Sequence, residues 1–462
     1  MHILKPQFQS YAHPFNTAFA KQHSKICKHY FIDRPFVGRS VELELSISNH
    51  TDNCEKNIYD EKSCPQVHDV KSVDLSTFGN LCVDIVLGVP ELPPSSPEAR
   101  LAYANKLASQ PPDKRFWEAG GNCNVTIAAS RLGLNCSTIG HVGDEIYGNF
   151  LLDVLGEEGI KMSRIISPEA VILSAYDTLL CWVLVDPSQR HGFCSVADFS
   201  EEPAFSWITT LNEKTKSAIK KSKILFFNGF GFDELPPSVL VSALDYAAEV
   251  NTLIFFDPGP RAKKLIKGTA EEQRALAHFT KMSDVLLLTS EEVESLTGIK
   301  HPVLAGQELL NNSIRTKWVI VKMGEKGSIL ITHSSVSCVP AFIVSVVDTV
   351  GCGDSFVAAI AYGCLHKLSL VHTLAIANAV GAATAMGCGA GRNVASLEKV
   401  RQILLASNTR EDYDFWMDLL KPIQAKDTIC ITGKSTDPID GDFNFIPLNN
   451  VVSQVLANLS ML

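Results

Sequence analysis

Regular hydrophobic patterning begins at residue 73, where short apolar runs of strand composition start to alternate with longer stretches of helical periodicity. The first strand-like run, 75–88, is broken by a Gly-Asn pair that predicts a turn. Alternation of this kind predicts an α/β fold with an open, mostly parallel sheet, whose ligands bind at the carboxyl ends of the strands. The pattern predicts further strands at 137–142, 224–227, 253–256, 285–288, 318–322, 328–332 and 342–347, and helices at 98–108, 125–133, 147–156, 238–250, 271–282, 291–297, 355–367 and 370–386.

Three segments depart from this alternation. Residues 179–197 contain two apolar runs joined by a polar turn, which predicts a β-hairpin that is either a lid over a site or a plain edge hairpin. Residues 90–112 are rich in Pro and Ser and predict a surface excursion. Periodicity weakens beyond residue 407, which predicts an appended C-terminal tail (401–462) with one amphipathic helix at 451–459.

The N-terminal segment has a different composition from the rest. Its first 41 residues carry six Lys or Arg and a single acid, Asp33, with no continuous apolar core. This composition is typical of an organellar transit segment, and a disordered cytosolic extension is the alternative. Residues 42–71 are polar with acidic patches and indicate a linker. We therefore expect a transit-like segment and linker at 1–72, followed by a main domain at 73–400.

Composition and charge exclude several classes of protein. A net charge of −9 and a pI of about 5.8 argue against nucleic acid as a direct partner. No apolar run approaches the roughly 20 residues of a spanning helix, so a membrane is not an expected partner either. The 13 cysteines include no C-x-x-C pair, which favours reduced, mostly buried thiols over a zinc site.

The segment from Asp348 to Asp354, Asp-Thr-Val-Gly-Cys-Gly-Asp, carries the most chemical information. A predicted strand, a glycine turn and a predicted helix start follow one another, and that order builds a cradle of backbone N–H groups for an anion. A carboxylate at the mouth of the cradle would repel the anion unless it handles a proton on an incoming nucleophile. The segment therefore indicates phosphoryl transfer to a hydroxyl, although an ordinary capped helix after a tight turn is the structural alternative.

Several other motifs accompany this one in a fixed order across 73–400. Together they resemble the ribokinase-like (PfkB) family of carbohydrate and nucleoside kinases. The resemblance implies a three-layer α/β fold with a mostly parallel central sheet and a small β-lid, whose strands lie within about 75–120 and 179–197. The motifs are Gly79-Asn80-Leu-Cys-Val-Asp84, Gly120-Gly121-x-x-Asn124, Gly140-His-Val-Gly143-Asp144-Glu-Ile-Tyr-Gly148, Asp257-Pro-Gly-Pro-Arg261, Lys322-Met-Gly324-Glu-Lys-Gly327 and Gly389-Ala-Gly391.

Residue roles follow from the resemblance. Asp354 is implied to be the general base, and the amides of Gly351, Cys352 and Gly353 to stabilise the transferred phosphoryl group. ATP and Mg²⁺ are the implied cofactors, with a monovalent cation such as K⁺ as a further expectation. The remaining implied residues are Asp84, Gly120, Gly121 and Asn124 for the acceptor, Thr289, Lys322, Gly324, Gly327 and Thr349 for ATP, Glu292 for Mg²⁺ through water, and Asp348 for the monovalent cation.

Departures from the family pattern leave a second hypothesis open. Thr289 replaces the Asn of the family's N-x-x-E element, Lys322 replaces a Thr near the nucleotide, and Cys352 replaces an Ala. The leading expectation is an ATP-dependent kinase of a small-molecule sugar, polyol or nucleoside. We expect it in the chloroplast, with the mitochondrion or cytoplasm as alternatives. Its oligomeric state is left open, and a homodimer that pairs through the lid is one arrangement that the resemblance implies. The alternative is a catalytically weak or inactive kinase-like scaffold of a plastid complex.

Overall fold

The computed structural model describes residues 71–94, 96–109, 113–165, 177–188, 190–200, 202–410, 412–423, 428–433 and 443–460. Residues 1–70, which hold most of the predicted transit-like segment and linker, lie outside the described residues. Among the described helices, none is both long and apolar enough to cross a membrane.

The described strands form one large and one small sheet. The large sheet has eleven strands, of which nine fall in the predicted main domain and two in the predicted tail. All of its strand pairs are parallel except those that Ser328–Ile331 makes with its two neighbours. In spatial order the strands are β15 (Phe443–Pro447), β14 (Thr428–Gly433), β13 (Ser335–Val339), β12 (Ser328–Ile331), β11 (Trp318–Lys322), β10 (Val285–Thr289), β9 (Leu253–Asp257), β8 (Ser222–Asn228), β1 (Val73–Phe78), β4 (Cys136–Gly140) and β5 (Lys161–Arg164).

Both faces of the large sheet are buried, which explains its continuous apolar strands. In β9, Phe255 belongs to the hydrophobic core on one face, and Ile254 and Phe256 to the core on the other. Helices cover the two faces and complete a three-layer α/β fold. They are α1 (Pro97–Ala108), α2 (Asn122–Arg131), α3 (Ile146–Glu157), α4 (Glu213–Lys221), α5 (Gly231–Glu234), α6 (Pro237–Glu249), α7 (Ala262–Ile266), α8 (Ala270–Met282), α9 (Ser290–Thr297), α10 (Pro302–Asn311), α11 (Cys352–Leu365), α12 (Leu370–Ala385), α13 (Leu397–Ala406), α14 (Tyr413–Leu420) and α15 (Leu448–Leu459).

The small sheet is the predicted β-element. Its order is β3 (Trp117–Gly121), β2 (Leu81–Gly88), β6 (Leu179–Val185) and β7 (His191–Ser195), and β6 and β7 form the predicted hairpin. One face lines a cavity, while residues of the other face, such as Ile85 and Leu184, are buried in the core of the molecule. The segment predicted as a surface excursion contributes α1, whose Ala104 joins the same core.

The structure corrects two expectations about secondary structure. Residues 342–347 do not form a strand; the chain ends β13 at Val339 and then runs as irregular backbone, with Phe342 in an isolated bridge to Thr409. Ile343 and Val346 are exposed there, so their β-branched side chains did not indicate a sheet. The predicted tail is also more than an appendage, because β14 and β15 extend the large sheet and α15 packs against α12.

Candidate active site

A cavity of about 290 Å³ lies where the carboxyl ends of the large-sheet strands meet the small sheet. Open parallel sheets bind their ligands at this edge because loops diverge there. Predicted site residues from both sheets, from the glycine turn and from α2, α9 and α11 line the cavity together. They are Asp84, Gly121, Asn124, Glu292, Lys322, Gly351, Gly353 and Asp354.

The glycine turn enters α11 through a conformation that suits glycine. Gly351 has φ +75°, and a Cβ there would lie 2.7 Å from the Cβ of Ala390. Asp348 fixes the turn from behind, because its two carboxylate oxygens accept hydrogen bonds from the N–H groups of Val350 (3.0 Å) and Gly389 (2.7 Å). The amides at the start of the 14-residue helix therefore stand at one wall of the cavity, where the helix dipole favours an anion.

Asp354 lies in the first turn of α11 and is held by Asn124. The Asn124 Nδ2 group donates to Asp354 Oδ2 at 3.1 Å, while Asn124 Oδ1 accepts the Gly391 N–H at 2.7 Å. Burial raises the pKa of Asp354 to about 6, with the Asn124 hydrogen bond and Lys322 opposing and Asp257 adding to the rise. A carboxylate with this pKa is a better base than an ordinary Asp and is still mostly ionised at neutral pH.

Lys322 ends β11 and points its ammonium group at the glycine turn. Its Nζ donates to Asp257 Oδ2, and a Cβ on Gly353 would lie 3.8 Å from the same Nζ. Burial alone would lower the pKa of Lys322, but Asp257, Glu292 and Asp354 reverse the effect and raise it. The lysine is therefore a buried, charged group next to the amide cradle.

Thr289 and Glu292 form a reciprocal capping box at the start of α9. The Thr289 N–H donates to Glu292 Oε2 at 2.7 Å, and the Glu292 N–H donates to Thr289 Oγ1 at 3.3 Å. Burial and the neighbouring Asp257 raise the pKa of Glu292, against the opposing effect of Lys322. The carboxyl of Glu292 reaches the cavity, whereas Thr289 serves the helix terminus.

Asp84 presents its carboxyl to the cavity from β2. Burial raises its pKa to about 7, and the thiol of Cys82 donates to its Oδ1 at 3.4 Å. Gly120 on the paired strand leaves the space that this carboxyl occupies, since a Cβ there would lie 2.1 Å from Asp84 Oδ1. Gly120 thus contributes to the site because it has no side chain.

A buried polar network ties the small sheet to the large one where the chain crosses between them. The backbone N–H of Asn80, which follows β1, donates to the Glu234 carboxylate, and the Asn122 side chain donates to the Gly79 carbonyl at 2.7 Å. Asn228, at the end of β8, donates to Asn122 Oδ1 at 2.8 Å. The position of Asp84 relative to Asp354 therefore depends on this network.

Arg261 is the second cation that lines the cavity. Its Nη2 donates to Asp198 Oδ1 at 2.6 Å, and its Nε lies 2.5 Å from Asp233 Oδ2. Its guanidinium carbon also stacks 4.8 Å above the centre of the Phe230 ring. The sequence motif contains Arg261, but the two carboxylate partners come from a 3₁₀ turn and from α5, which no sequence pattern connects to it.

Seven predicted residues do not line the cavity themselves. Gly120 and Asp348 support it as described above, and the Cys352 N–H donates to the Thr349 carbonyl within the turn at 3.3 Å. Burial raises the pKa of the Cys352 thiol to about 12. The seven residues are Gly120, Thr289, Gly324, Gly327, Asp348, Thr349 and Cys352.

Sequence reasoning gave no role to several lining residues. Asn228 could have been found, because it directly follows a predicted strand at the edge where ligands bind, and Asp257 opened a quoted motif but was given no role. Asp198, Asp233 and Glu234 carried no comparable signal.

A family model and several known proteins match most of this chain. A family model described as "pfkB family carbohydrate kinase" matches residues 80–396. Fructokinase-1 of Zea mays is 25% identical over 342 residues, which cover 71% of this chain and 96% of the relative. Probable fructokinase-4 of Arabidopsis thaliana is 26% identical over 337 residues, covering 71% of this chain and 95% of the relative.

Solved structures show the same fold at lower identity. A putative ribokinase II from E. coli, in complex with ATP and Mg²⁺, superposes with a TM-score of 0.55 at 19% identity and covers 72% of this chain and all of its own. A fructokinase from Xylella fastidiosa with bound ATP gives a TM-score of 0.53 at 20% identity, covering 72% of this chain and 99% of its own.

Proposed function

This chain belongs to the pfkB family of carbohydrate kinases, and from that premise we propose that it transfers the γ-phosphoryl group of ATP to a sugar hydroxyl with Asp354 as general base. One observation carries the proposal. Asp354 lies in the first turn of α11, beside the amide cradle and Lys322, and hydrogen-bonds Asn124 on the acceptor side. A base between an anion site and a hydroxyl site is the arrangement that phosphoryl transfer to an alcohol requires.

The residues divide the reaction between them. Asp84 accepts, and Asn124 donates or accepts, hydrogen bonds that hold the sugar hydroxyls. Asp354 takes the proton from the attacking hydroxyl, and its pKa of about 6 leaves it ionised before each turnover at neutral pH. Proton transfer is late in a loose transition state, so positioning contributes most of the rate. The amides of Gly351 and Gly353 and the Lys322 ammonium stabilise negative charge on the transferred group.

The residues present fit ATP and Mg²⁺. Gly351 leaves no room for a side chain, because a Cβ there would lie 2.7 Å from the Cβ of Ala390, and the buried Lys322 places a cation next to Gly353. We propose that these groups hold the terminal phosphates and that the cavity-facing Glu292 holds Mg²⁺ through water. When bound, ATP supplies the phosphoryl group and Mg²⁺ neutralises its oxygens.

The test measures ATP turnover in the presence of Mg²⁺, with fructose, ribose, sorbitol, inositols and nucleosides as acceptors. We expect at least one sugar to be phosphorylated, and Asp354→Asn to lower its kcat by about 10²–10⁴-fold, the usual contribution of a general base. Circular dichroism and thermal unfolding of the variant check that it is folded. Phosphorylation at the unchanged rate by folded Asp354→Asn protein would rule out the proposed base.

The same assay addresses the scaffold hypothesis. Absence of turnover with every acceptor, together with stable incorporation into a large complex, would favour a scaffold over an enzyme. The presence of Asp84, Asn124 and Asp354 around one cavity favours the enzyme. Localisation in the chloroplast, a bound monovalent cation at Asp348 and pairing through the small sheet remain predictions.

A further inference from the structure

The cavity has an acceptor end, around Arg261 and Asp84, and a phosphate end, around Lys322 and Gly353. Among the described residues that line it, Arg261 and Lys322 are the two cationic side chains. Carboxylic side chains outnumber them at both ends. They are Asp84, Asp198, Asp233 and Glu234 at the acceptor end, and Asp257, Glu292 and Asp354 at the phosphate end.

Arg261 is engaged on both sides of its guanidinium group. Asp198 binds one nitrogen at 2.6 Å and Asp233 lies 2.5 Å from another, so an incoming anion would have to displace a carboxylate. Both carboxylates are themselves fixed, because Asp198 accepts the Ser195 N–H at 2.9 Å and Asp233 also binds Lys264 at 2.8 Å. Stacking on Phe230 further restrains the guanidinium plane.

The other acidic groups at this end add to the same effect. Asp84 is 6% exposed and Glu234 is 2% exposed, and neither forms an ion pair among the described contacts. Burial raises the pKa of Asp84 to about 7 and that of Glu234 to about 8, because this region already disfavours negative charge. An anion brought into contact with these groups would lose its solvation without gaining a free cation as a partner.

We infer that the acceptor end admits uncharged sugars or polyols and excludes sugar acids and sugar phosphates, because Asp198 and Asp233 hold the cation that an anionic acceptor would need. This inference rests on the proposed function, since it concerns the acceptor of that reaction. The charges around the acceptor end thus define the substrate class as uncharged sugars and polyols. Hydroxyl groups can donate to the carboxyls and amides that remain at this end.

Ligand binding to the full chain tests the inference without any variant. The neutral probes are fructose, ribose, sorbitol and myo-inositol; the anionic probes are gluconate, ribose 5-phosphate and fructose 6-phosphate. Glucuronate and glucuronamide add a pair of nearly equal shape that differs in charge. Calorimetry should show binding of at least one neutral probe, and each acid should bind about tenfold or more weakly than its neutral counterpart.

Asp198→Asn sharpens the test, because Asn can still accept the Ser195 N–H while Arg261 loses one carboxylate. We expect the ratio of the Kd of an acid probe to that of its neutral counterpart to be about fivefold to tenfold smaller in the variant. Asp245→Asn is the matched control, since Asp245 is an exposed acid paired with His278 outside this cavity. The control should leave the discrimination unchanged.

Two binding results would overturn the inference: an acid that binds as tightly as its neutral counterpart, or failure of every neutral probe to bind. ATP turnover is measured separately on the same preparation. Selective binding of neutral sugars without phosphoryl transfer would contradict the proposed function and leave the inference standing. Turnover of an anionic acceptor would contradict the inference and leave the proposed function standing.

Discussion

The two cations of the cavity are held in different ways. Lys322 donates to one carboxylate, Asp257, and its ammonium faces the amides of the glycine turn. Arg261 is fixed between Asp198 and Asp233 and stacked on Phe230. A lysine is a point charge on a flexible stem with three donors, whereas a guanidinium held at two nitrogens would have to give up one of its two carboxylates to bind another anion.

This difference indicates that the two ends of the cavity differ in their affinity for negatively charged groups. The phosphate end combines a cation bound to one carboxylate, a helix N-terminus and a glycine turn, all of which favour an anion. The acceptor end combines a neutralised cation with buried carboxyls, and both features disfavour an anion. A phosphoryl donor and an uncharged acceptor would therefore each have one suitable end, and three changes test this contrast.

Gly351→Ala should have the largest effect and should act on the phosphate end alone. An alanine at φ +75° is strained, and its Cβ would lie 2.7 Å from that of Ala390, so the amide cradle must shift. We expect kcat to fall by about 10²–10³-fold, as when one oxyanion donor is lost, while calorimetric binding of the acceptor stays within about threefold. Gly156→Ala is the control, because Gly156 lies in α3 with no atom near its absent Cβ. An equal loss of acceptor binding and kcat would show that the two ends are not separate.

Lys322→Met should have an intermediate effect and should move a pH profile. Lys322 lowers the pKa of Asp354, which burial otherwise raises, so removing the ammonium raises that pKa above about 6. Because the base acts when deprotonated, activity is lost as pH falls through this pKa. The acid limb of the kcat/KM profile should therefore move to higher pH, by about one unit, with a rate loss of about tenfold at neutral pH.

Lys263→Met provides the matched control for this profile. Lys263 is an exposed lysine paired with Glu291 at 3.1 Å, away from the cavity. An acid limb that stays in place in Lys322→Met would contradict the electrostatic role given to Lys322.

Glu234→Gln should have the smallest effect on turnover, and it tests the acceptor end through stability. The folded-state pKa of Glu234 is about 8 because of burial, whereas an unfolded Glu titrates near pH 4. The unfolded chain therefore releases this proton first as pH rises, and the wild-type free energy of unfolding should fall between about pH 5 and pH 8. Glutamine cannot titrate, so the free energy of unfolding of the variant should fall less over this pH range, by on the order of 3 kcal/mol. Urea denaturation at pH 5, 6.5 and 8 measures this; parallel curves for the two proteins would mean that Glu234 does not titrate in this way.

Motif order predicted much of the site because strand ends converge in space. Asp84, Asn124 and Asp354 are far apart in the chain: Asp84 lies within β2, and Asn124 and Asp354 lie in the first turns of α2 and α11. A parallel α/β topology brings such positions together, so identifying the alternation was enough to expect their meeting. Their catalytic and binding roles remain predictions.

Other features could not be predicted, each for a physical reason. Residues 342–347 have strand composition, but no free strand edge pairs with them beyond the bridge of Phe342 to Thr409 in the described chain. The C-terminal strands have weak periodicity and depend on the edge of β13 for their pairing. The partners of Arg261 belong to a 3₁₀ turn and to the short helix α5, neither of which has a sequence signature.

Local sequence by itself determined the α/β alternation, the glycine turn and the acid that follows it, because strand periodicity, positive φ and helix capping act over a few residues. Tertiary structure decided the charge at each end of the cavity. Asp198, Asp233 and Arg261 come from three separate elements, and whether a buried cation is free or neutralised depends on distances of a few ångströms between them. That distinction underlies the inferred preference for an uncharged acceptor, and it exists only in the folded chain.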